Sequence, residues 1–510
     1  MKTTFWKTLL ALLLVLLMIC GLLSGCAASP DGENSPKDTS VPDTTSSDGK
    51  VHLHVVAEEY DLRSIYVSAL AELYNIRNKD VVVEVELIPA DVTLREPVLS
   101  RIRTEILAGQ GPDIFVLPTY PMRRTRLHRI YQDPLIPDVA QSMRNLVFAD
   151  ISALYEADQE LNKEELQADV MEAGVLDGAR YVLPLQYNMP MLYLDRAGLE
   201  TTGLDVDALT ENIDSYLTTL INSNNGKQAA TSNTRNMSTS FGLDFFPELL
   251  DYENESVNVT TDEMSDYLEK IQKIIYLRGD TTGTGSNGQA LSDYIRSGKS
   301  WHDFEHYIHV SDLFNADDYQ LIAKAQGWEL DMVPLRNFDN QVVANVTYWT
   351  GINANCDNIE AAYEFVRQLL LKSFQTEHPI PKRLEKNFYQ SFEFILESYT
   401  DGWPVRMIGT GDEICSIAKS RFKGFAYDGT ESEIARADTI YPIILSDEDF
   451  PFINEKIDVV LFSFPYEEEF VEVVDSLNNP ADVGATPTNV DIDKLAKDII
   501  WNLQLHLGEG

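Results

Sequence analysis

Strands and helices alternate from Val51 to Pro118, and this alternation predicts an α/β protein built on a parallel sheet. Two further observations point the same way. The run Asp113-Ile114-Phe115-Val116-Leu117 is apolar at every position after Asp113, as a strand covered by helices on both faces is. Just before it, Gly109-Gln110-Gly111-Pro112 breaks a helix that ends at Glu105-Ile106-Leu107-Ala108. Right-handed βαβ connections bring the carboxyl ends of such strands to one edge, where open α/β sheets bind ligands.

In chain order, Val51-His52-Leu53-His54-Val55-Val56-Ala57 reads as the first strand. Leu62, Ile65, Tyr66, Ala69, Leu70, Leu73 and Tyr74 recur at spacings of three and four, the stripe of a helix that packs on one side. Val81 to Ile88 switches to alternation, with Val83, Val85 and Leu87 on one face and Glu84 and Glu86 on the other. A second helical stripe follows at Val98, Leu99, Ile102 and Ile106, and Asp113 to Leu117 is the third strand. Glu58-Glu59-Tyr60 and Thr119-Tyr120 therefore share the carboxyl edge. His52 and His54 share a face of the first strand, where two imidazoles could chelate a metal. No third ligand stands nearby, and two polar-face histidines are the plainer reading.

A chain of 510 residues exceeds what one core usually fills, so at least two domains are expected. Residues 1–25 carry Lys2 and Lys7, an apolar run from Leu9 to Cys20, and small residues before Cys26, the three regions of an export signal. The apolar run is short for a membrane span. Leu23-Ser24-Gly25-Cys26 resembles the lipobox of bacterial lipoproteins, which implies that Cys26 is lipidated and becomes the first mature residue. Residues 26–50 then form a disordered tether rich in Ser, Thr, Asp and Pro. Its 24 residues from Ala27 to Lys50 reach roughly 27 Å as a flexible coil.

The net charge is −41, and −43 once Lys2 and Lys7 leave with the signal. Such a charge disfavours binding to nucleic acid or to anionic lipid, and the carboxylates read as a solvated surface. With Cys20 in the signal and Cys26 the anchor, Cys356 and Cys415 remain, either as a pair or as two buried thiols, the second being the simpler reading.

From Tyr181 the sequence Tyr181-Val182-Leu183-Pro184-Leu185-Gln186-Tyr187-Asn188-Met189-Pro190-Met191-Leu192-Tyr193-Leu194-Asp195-Arg196-Ala197-Gly198-Leu199 resembles the hinge segment of the sugar-binding family of extracellular solute-binding proteins of ABC importers. Where that family carries Tyr-Asn-Lys-Asp, this chain has Tyr193-Leu194-Asp195-Arg196, without the Asn. Gly109-Gln110-Gly111-Pro112-Asp113-Ile114-Phe115 resembles the family's Gly-x-x-Pro-Asp strand. Trp349-Thr350-Gly351-Ile352-Asn353-Ala354, before Glu360-Ala361-Ala362-Tyr363-Glu364-Phe365-Val366, is similar to its return into the first lobe, and Asp491 to Leu507 to its closing helix. Residues 375–485 do not align.

The resemblance implies a two-lobe, type II periplasmic-binding-protein-like α/β fold with the ligand cleft between the lobes. Lobe one is expected over 51–185 and 343–395, lobe two over 186–342 and 396–510. It further implies a single copy of the chain, lipid-anchored on the extracytoplasmic face of the cell membrane, that captures a solute, in the first place a carbohydrate, for ABC permease subunits. No cofactor is implied. A sugar site needs aromatic faces for the ring's CH surface and amides or carboxylates for its hydroxyls. By resemblance the ligand-facing residues are Glu58, Glu59, Tyr60, Thr119, Tyr120, Gln186, Tyr187, Asn188, Glu305, Tyr307, Tyr348 and Trp349.

Three alternatives stand beside this reading. Gly283-Thr284-Gly285-Ser286-Asn287-Gly288 spells a dinucleotide fingerprint, but it follows the helical stripe of Tyr267 to Arg278 instead of a strand. His302-Asp303-Phe304-Glu305-His306 matches the H-x-x-E-H pattern of inverted zinc peptidases. On a helix the two histidines lie about 6 Å apart and can share a zinc; on a strand, expected here over Ser300 to Val310, they lie roughly 13 Å apart and cannot. The third is a lipoprotein that keeps the binding fold as a sensor. No Gly-x-Ser-x-Gly elbow supports a serine hydrolase.

Overall fold

The computed structural model describes residues 49–59, 62–119, 122–124, 129–131, 133–222, 230–231, 242–246, 248–277, 308–312, 316, 320, 329–371, 392–398, 404–409, 443–445, 449–462, 467–477 and 490–508. Cys26, Tyr60, Tyr120, the 283–288 glycine stretch, His302, Glu305, His306, Tyr307 and Cys415 lie outside the described residues.

The expected βαβαβ order holds. It runs β1 (Val51–Glu58), α1 (Leu62–Arg77), β2 (Val81–Ile88), α2 (Val92–Leu107) and β3 (Ile114–Pro118). β1 pairs in parallel with β2 on one side and β3 on the other. All five residues of β3 are buried, as its unbroken apolar run requires. β2 is the edge strand, so its alternation is only partly cashed into burial: Val83 is buried while Leu87 is exposed.

The break before β3 has a specific geometry. Gly109 takes a left-handed φ of 73°, its N–H reaches the carbonyl of Ile106, and the N–H of Gln110 reaches that of Glu105 at 2.8 Å. This is a Schellman closure of α2, which glycine adopts without a Cβ penalty. Asp113 then fastens β3 to β1: its N–H donates to the His54 carbonyl, and its Oδ2 accepts from the His54 N–H, both at 2.8 Å.

The hinge-like segment folds as two strands, β4 (Val182–Asn188) and β5 (Pro190–Asp195), separated by Met189 alone. β4 stays in the first sheet and β5 enters a second one. The second sheet has four strands in the order Ala230–Thr231, β8 (Ile308–Asp312), β5, β9 (Leu330–Pro334), with β6 and β7 naming the hairpin strands Leu250–Asp251 and Ser256–Val257 that precede it. β8 and β9 both run antiparallel to β5. Of the strand expected over Ser300 to Val310, residues 300–307 lie outside the described residues, and Ile308–Asp312 forms β8.

β10 (Val343–Ile352) returns to the first sheet and pairs antiparallel with β3 and with β4. β11 (Val459–Phe462) pairs in parallel with the start of β10. Here the expected lobe division needs correcting. Residues after 395 were assigned to the second lobe, yet β11 belongs to the first sheet, and Phe450, Phe452 and Ile457 pack in the first core. Likewise β4 carries the first sheet to Asn188, beyond the expected boundary at 185.

Two apolar cores result. The first gathers Leu53, Val55, Phe115, Leu183, Leu185 and Trp349, with α3 (Val139–Arg144) contributing Val139 and Met143. The second gathers Leu192 and Leu194 of β5 with the inward faces of α4 (Ile213–Asn222), α5 (Thr261–Leu277), α7 (Glu467–Leu477) and α8 (Ile492–Gly508), where α6 names Ile359–Val366 of the first core. β5 divides its side chains by strand period: Leu192 and Leu194 join the second core, Met191 and Tyr193 the first. Cys356 is a free, buried thiol.

Candidate functional site

Residues Asn345 to Tyr348 of β10 are where the carboxyl ends of three strands meet. Asn345 and Val346 pair with β4 and with β11, so these two strands lie on opposite sides of β10. Tyr348 to Gly351 pair with both β4 and β3, which places β3 on the β11 side. β3 arrives antiparallel and ends at Pro118 opposite Tyr348; β11 arrives in parallel and ends at Phe462 opposite Val346. β4 ends with Asn188 opposite Asn345. The carboxyl ends of strands are where open α/β sheets bind ligands, which makes this junction the candidate site.

The ladder between β4 and β10 is irregular at this same place, with register shifts between Val346 and Tyr348 and between Tyr348 and Trp349. Bulges of this kind re-aim side chains. Gln186 and Tyr348 are cross-strand partners, as are Asn188 and Asn345. Four polar atoms here are withdrawn from solvent and make no hydrogen bond among the described residues: Gln186 Oε1, Asn188 Oδ1, Asn345 Oδ1 and Thr347 Oγ1. Buried polar atoms are nearly always paired, because leaving one unpaired costs about 1 to 3 kcal/mol. Trp349 Nε1 and Thr350 Oγ1, further along β10, are unpartnered among the described residues as well; the four at the strand junction are the candidate place for another molecule's polar atoms, because the second core reaches it.

The second core reaches the same junction. Asn345 Nδ2 donates to Asp244 Oδ2 at 2.6 Å, and Asp244 lies in the Leu243–Phe245 turn whose Leu243 and Phe245 pack in the second core. The site thus has walls from both cores.

Of the residues expected to face a ligand, Gln186 and Asn188 stand in this group, and Tyr187 lies between them, 6% exposed and paired with Val346. Thr119 closes the end of β3: its Oγ1 donates to the Val346 carbonyl at 2.6 Å and its N–H to the Thr347 carbonyl at 3.0 Å. Glu59 is exposed at the end of β1 and accepts from the Ala90 N–H at 2.9 Å. Glu58 is differently employed. Its carboxylate is buried and gripped by both terminal nitrogens of Arg95, at 2.7 and 2.9 Å, and Arg95 also donates to the Pro89 and Asp133 carbonyls. That makes it a structural ion pair.

The two aromatic residues of β10 require a correction. Trp349 is 1% exposed and packs edge-on against Phe148 at 5.4 Å, inside the first core. Tyr348 is fully buried, with its hydroxyl 3.5 Å from the Val116 carbonyl. Neither ring offers a face to a ligand, because both are buried by what packs on the faces of the sheet, Phe148 against the indole among it. Asn345 and Thr347 were not singled out from the sequence. Polar residues at alternate positions of an otherwise apolar strand, Asn345-Val346-Thr347-Tyr348, were the signal available.

His54, on the exposed face of β1, pairs its Nε2 with Glu86 at 3.0 Å, and no cluster of three metal-ligating side chains occurs among the described residues.

Solved structures share this architecture. The sugar-binding protein MalE from the phytopathogen Xanthomonas citri aligns with a TM-score of 0.51 at 11% identity, over 90% of this chain and 98% of that one. The galacto-N-biose-/lacto-N-biose I-binding protein of the ABC transporter from Bifidobacterium longum, in complex with lacto-N-biose, aligns with a TM-score of 0.50 at 13% identity, over 91% of this chain and 99% of that one. No family model and no curated protein matches the sequence. The fold is the two-lobe, type II α/β fold of periplasmic sugar-binding proteins.

Proposed function

We propose that this chain is the solute-binding lipoprotein of a bacterial ABC importer, which takes a sugar or oligosaccharide between its lobes and delivers it to a membrane permease. The observation that carries the reading is the group of solvent-withdrawn, unpartnered oxygens of Gln186, Asn188, Asn345 and Thr347 at the junction of the strand ends. Three of the four are amide carbonyl oxygens, which only accept hydrogen bonds, so they suit a molecule rich in O–H donors. An anionic solute would set its own acceptors against them, with the Asp244 carboxylate adding repulsion beside Asn345. A neutral, hydroxyl-bearing solute meets neither objection. Both solved relatives named above carry sugars in their descriptions, which favours the same class.

Walls from both cores make affinity depend on closing one lobe onto the other, with the solute stabilising the shut form. Acylation at Cys26 holds the domain on the extracytoplasmic face; a diacyl anchor supplies the two chains that stable attachment needs.

A thermal-shift screen of the protein against mono- and oligosaccharides tests this. A ligand at a hundredfold excess over its Kd adds about 2.7 kcal/mol of stability. Asn188→Ala and Asn345→Ala each remove one acceptor and should weaken that ligand by up to about tenfold. Binding of peptides with no response to any sugar overturns the solute class, and a sugar bound equally by both variants overturns the site. Mass spectrometry of the mature amino terminus tests the anchor, which cleavage elsewhere or an unmodified Cys26 refutes.

A further inference from the structure

Asp138 lies at a contact between the two cores that the solute site does not use. It caps α3, whose Val139 and Met143 belong to the first core, with Oδ1 accepting from the Gln141 N–H at 2.9 Å. Its Oδ2 faces the second core. There it accepts from the Tyr252 hydroxyl at 2.5 Å and lies 3.0 Å from His506 Nε2. Tyr252 stands in the turn between β6 and β7, whose Leu250 and Val257 pack on the second core; His506 stands on α8, which buries Ala496, Ile499 and Leu503 in it. Gln504 of α8 donates to the Glu255 carbonyl of that turn at 2.8 Å, so the two partners of Asp138 are themselves tied together.

The contact is enclosed and oriented. The Asp138 and His506 side chains are 6% and 12% exposed. Arg144, at the end of α3, lays its guanidinium 4.4 Å from the centre of the Tyr252 ring, a cation–π contact that also joins the first core to the second. Burial, then the adjacent Asp138 carboxylate, push the Tyr252 phenol well above its ordinary range, so its proton stays available to Asp138. Hydrogen bonds to a buried carboxylate are the strong kind.

We propose that Asp138, Tyr252 and His506 form a clasp between the lobes that favours the shut arrangement ahead of solute and thereby sets affinity, as positioning residues that touch no solute. The inference rests on the reading that solute is taken between the lobes. Its direction follows from a second contact made in the same arrangement: Asn345 Nδ2 on the first sheet donates to Asp244 Oδ2 of the second core at 2.6 Å across the solute site itself, so the arrangement that makes the clasp is one in which the two cores meet there. A contact made only in the shut form raises the competent fraction, and apparent affinity rises with that fraction.

The test uses Tyr252→Phe, which deletes one oxygen and keeps the ring under Arg144, and its combination with His506→Ala. Small-angle X-ray scattering of the solute-free protein should show a larger radius of gyration in both variants, returning to the parent value with saturating sugar. Affinity should fall about tenfold in the double variant. Ser265→Ala is the control: it removes the 3.0 Å bond from Ser265 to Asp493, within the second core's helices, and should lower the melting temperature with no change in radius. An unchanged radius in the double variant overturns the clasp, whether or not any sugar has been found. An enlarged radius with unchanged sugar affinity overturns its role in setting affinity. Should no sugar bind at all, the scattering result still decides the clasp, and the failure belongs to the proposed function.

Discussion

Replacing Trp349 by alanine distinguishes a core residue from a ligand platform by its free energy. The indole is 1% exposed, edge-on to Phe148 at 5.4 Å and 72°, and Phe148 is in turn edge-on to Phe115 at 5.8 Å. Its cross-strand partners are Leu117 on β3 and Pro184 on β4. Deleting a side chain so enclosed loses its transfer free energy and leaves a cavity, together about 3 to 5 kcal/mol. For a large domain, where each kcal/mol moves the midpoint by roughly 2 to 4 °C, the melting temperature should fall by about 10 °C. Trp349→Phe should fall much less, because it keeps an aromatic edge against Phe148 and removes the indole N–H, which has no partner among the described residues. Thermal and urea unfolding without solute read both variants. An alanine variant that melts with the parent but loses affinity for a sugar that the parent binds would refute the core placement and return the indole to the solute.

Two further outcomes follow from buried groups of the first core. Arg95→Met leaves the Glu58 carboxylate buried without its cation and should cost about 3 to 5 kcal/mol, whereas Glu58→Leu combined with Arg95→Met should cost clearly less than the sum of the two single losses; a double-variant loss equal to that sum, measured by urea unfolding, would show that the pair is not coupled. The Cys356 thiol is pushed up to about 12, first by burial and then by the Asp113 carboxylate. At pH 8 its peptide should therefore resist iodoacetamide in the native protein and react in urea, as mass spectrometry reads peptide by peptide; rapid native labelling would contradict its burial. The folded state holds this proton more tightly than the unfolded chain, so the stability it contributes is fully present below about pH 9 and is lost as pH rises toward about 12.

Elements whose signal is local were legible in the sequence, and contacts between distant segments were not. Residues 51–118 announce β1, α1, β2, α2 and β3 because side-chain period, the glycine break and an apolar run on both faces are properties of a few consecutive residues. The hinge-like stretch was readable as far as Gln186 and Asn188, which lie at the strand junction. Trp349 was misjudged for a reason of the same kind. An aromatic residue near a strand's end reads equally as a platform or as core, and only what packs on the sheet face, Phe148 against the indole, makes it core. Asn345 and Thr347 gain their meaning from register: β3, β4 and β11, drawn from sequence positions near 118, 188 and 462, end within four residues of one another along β10. Asp138 reads in sequence only as a helix cap, and its partners stand 114 and 368 residues away. Such pairings are chosen by the burial of two cores at once, a condition on the whole chain that no local window of residues carries.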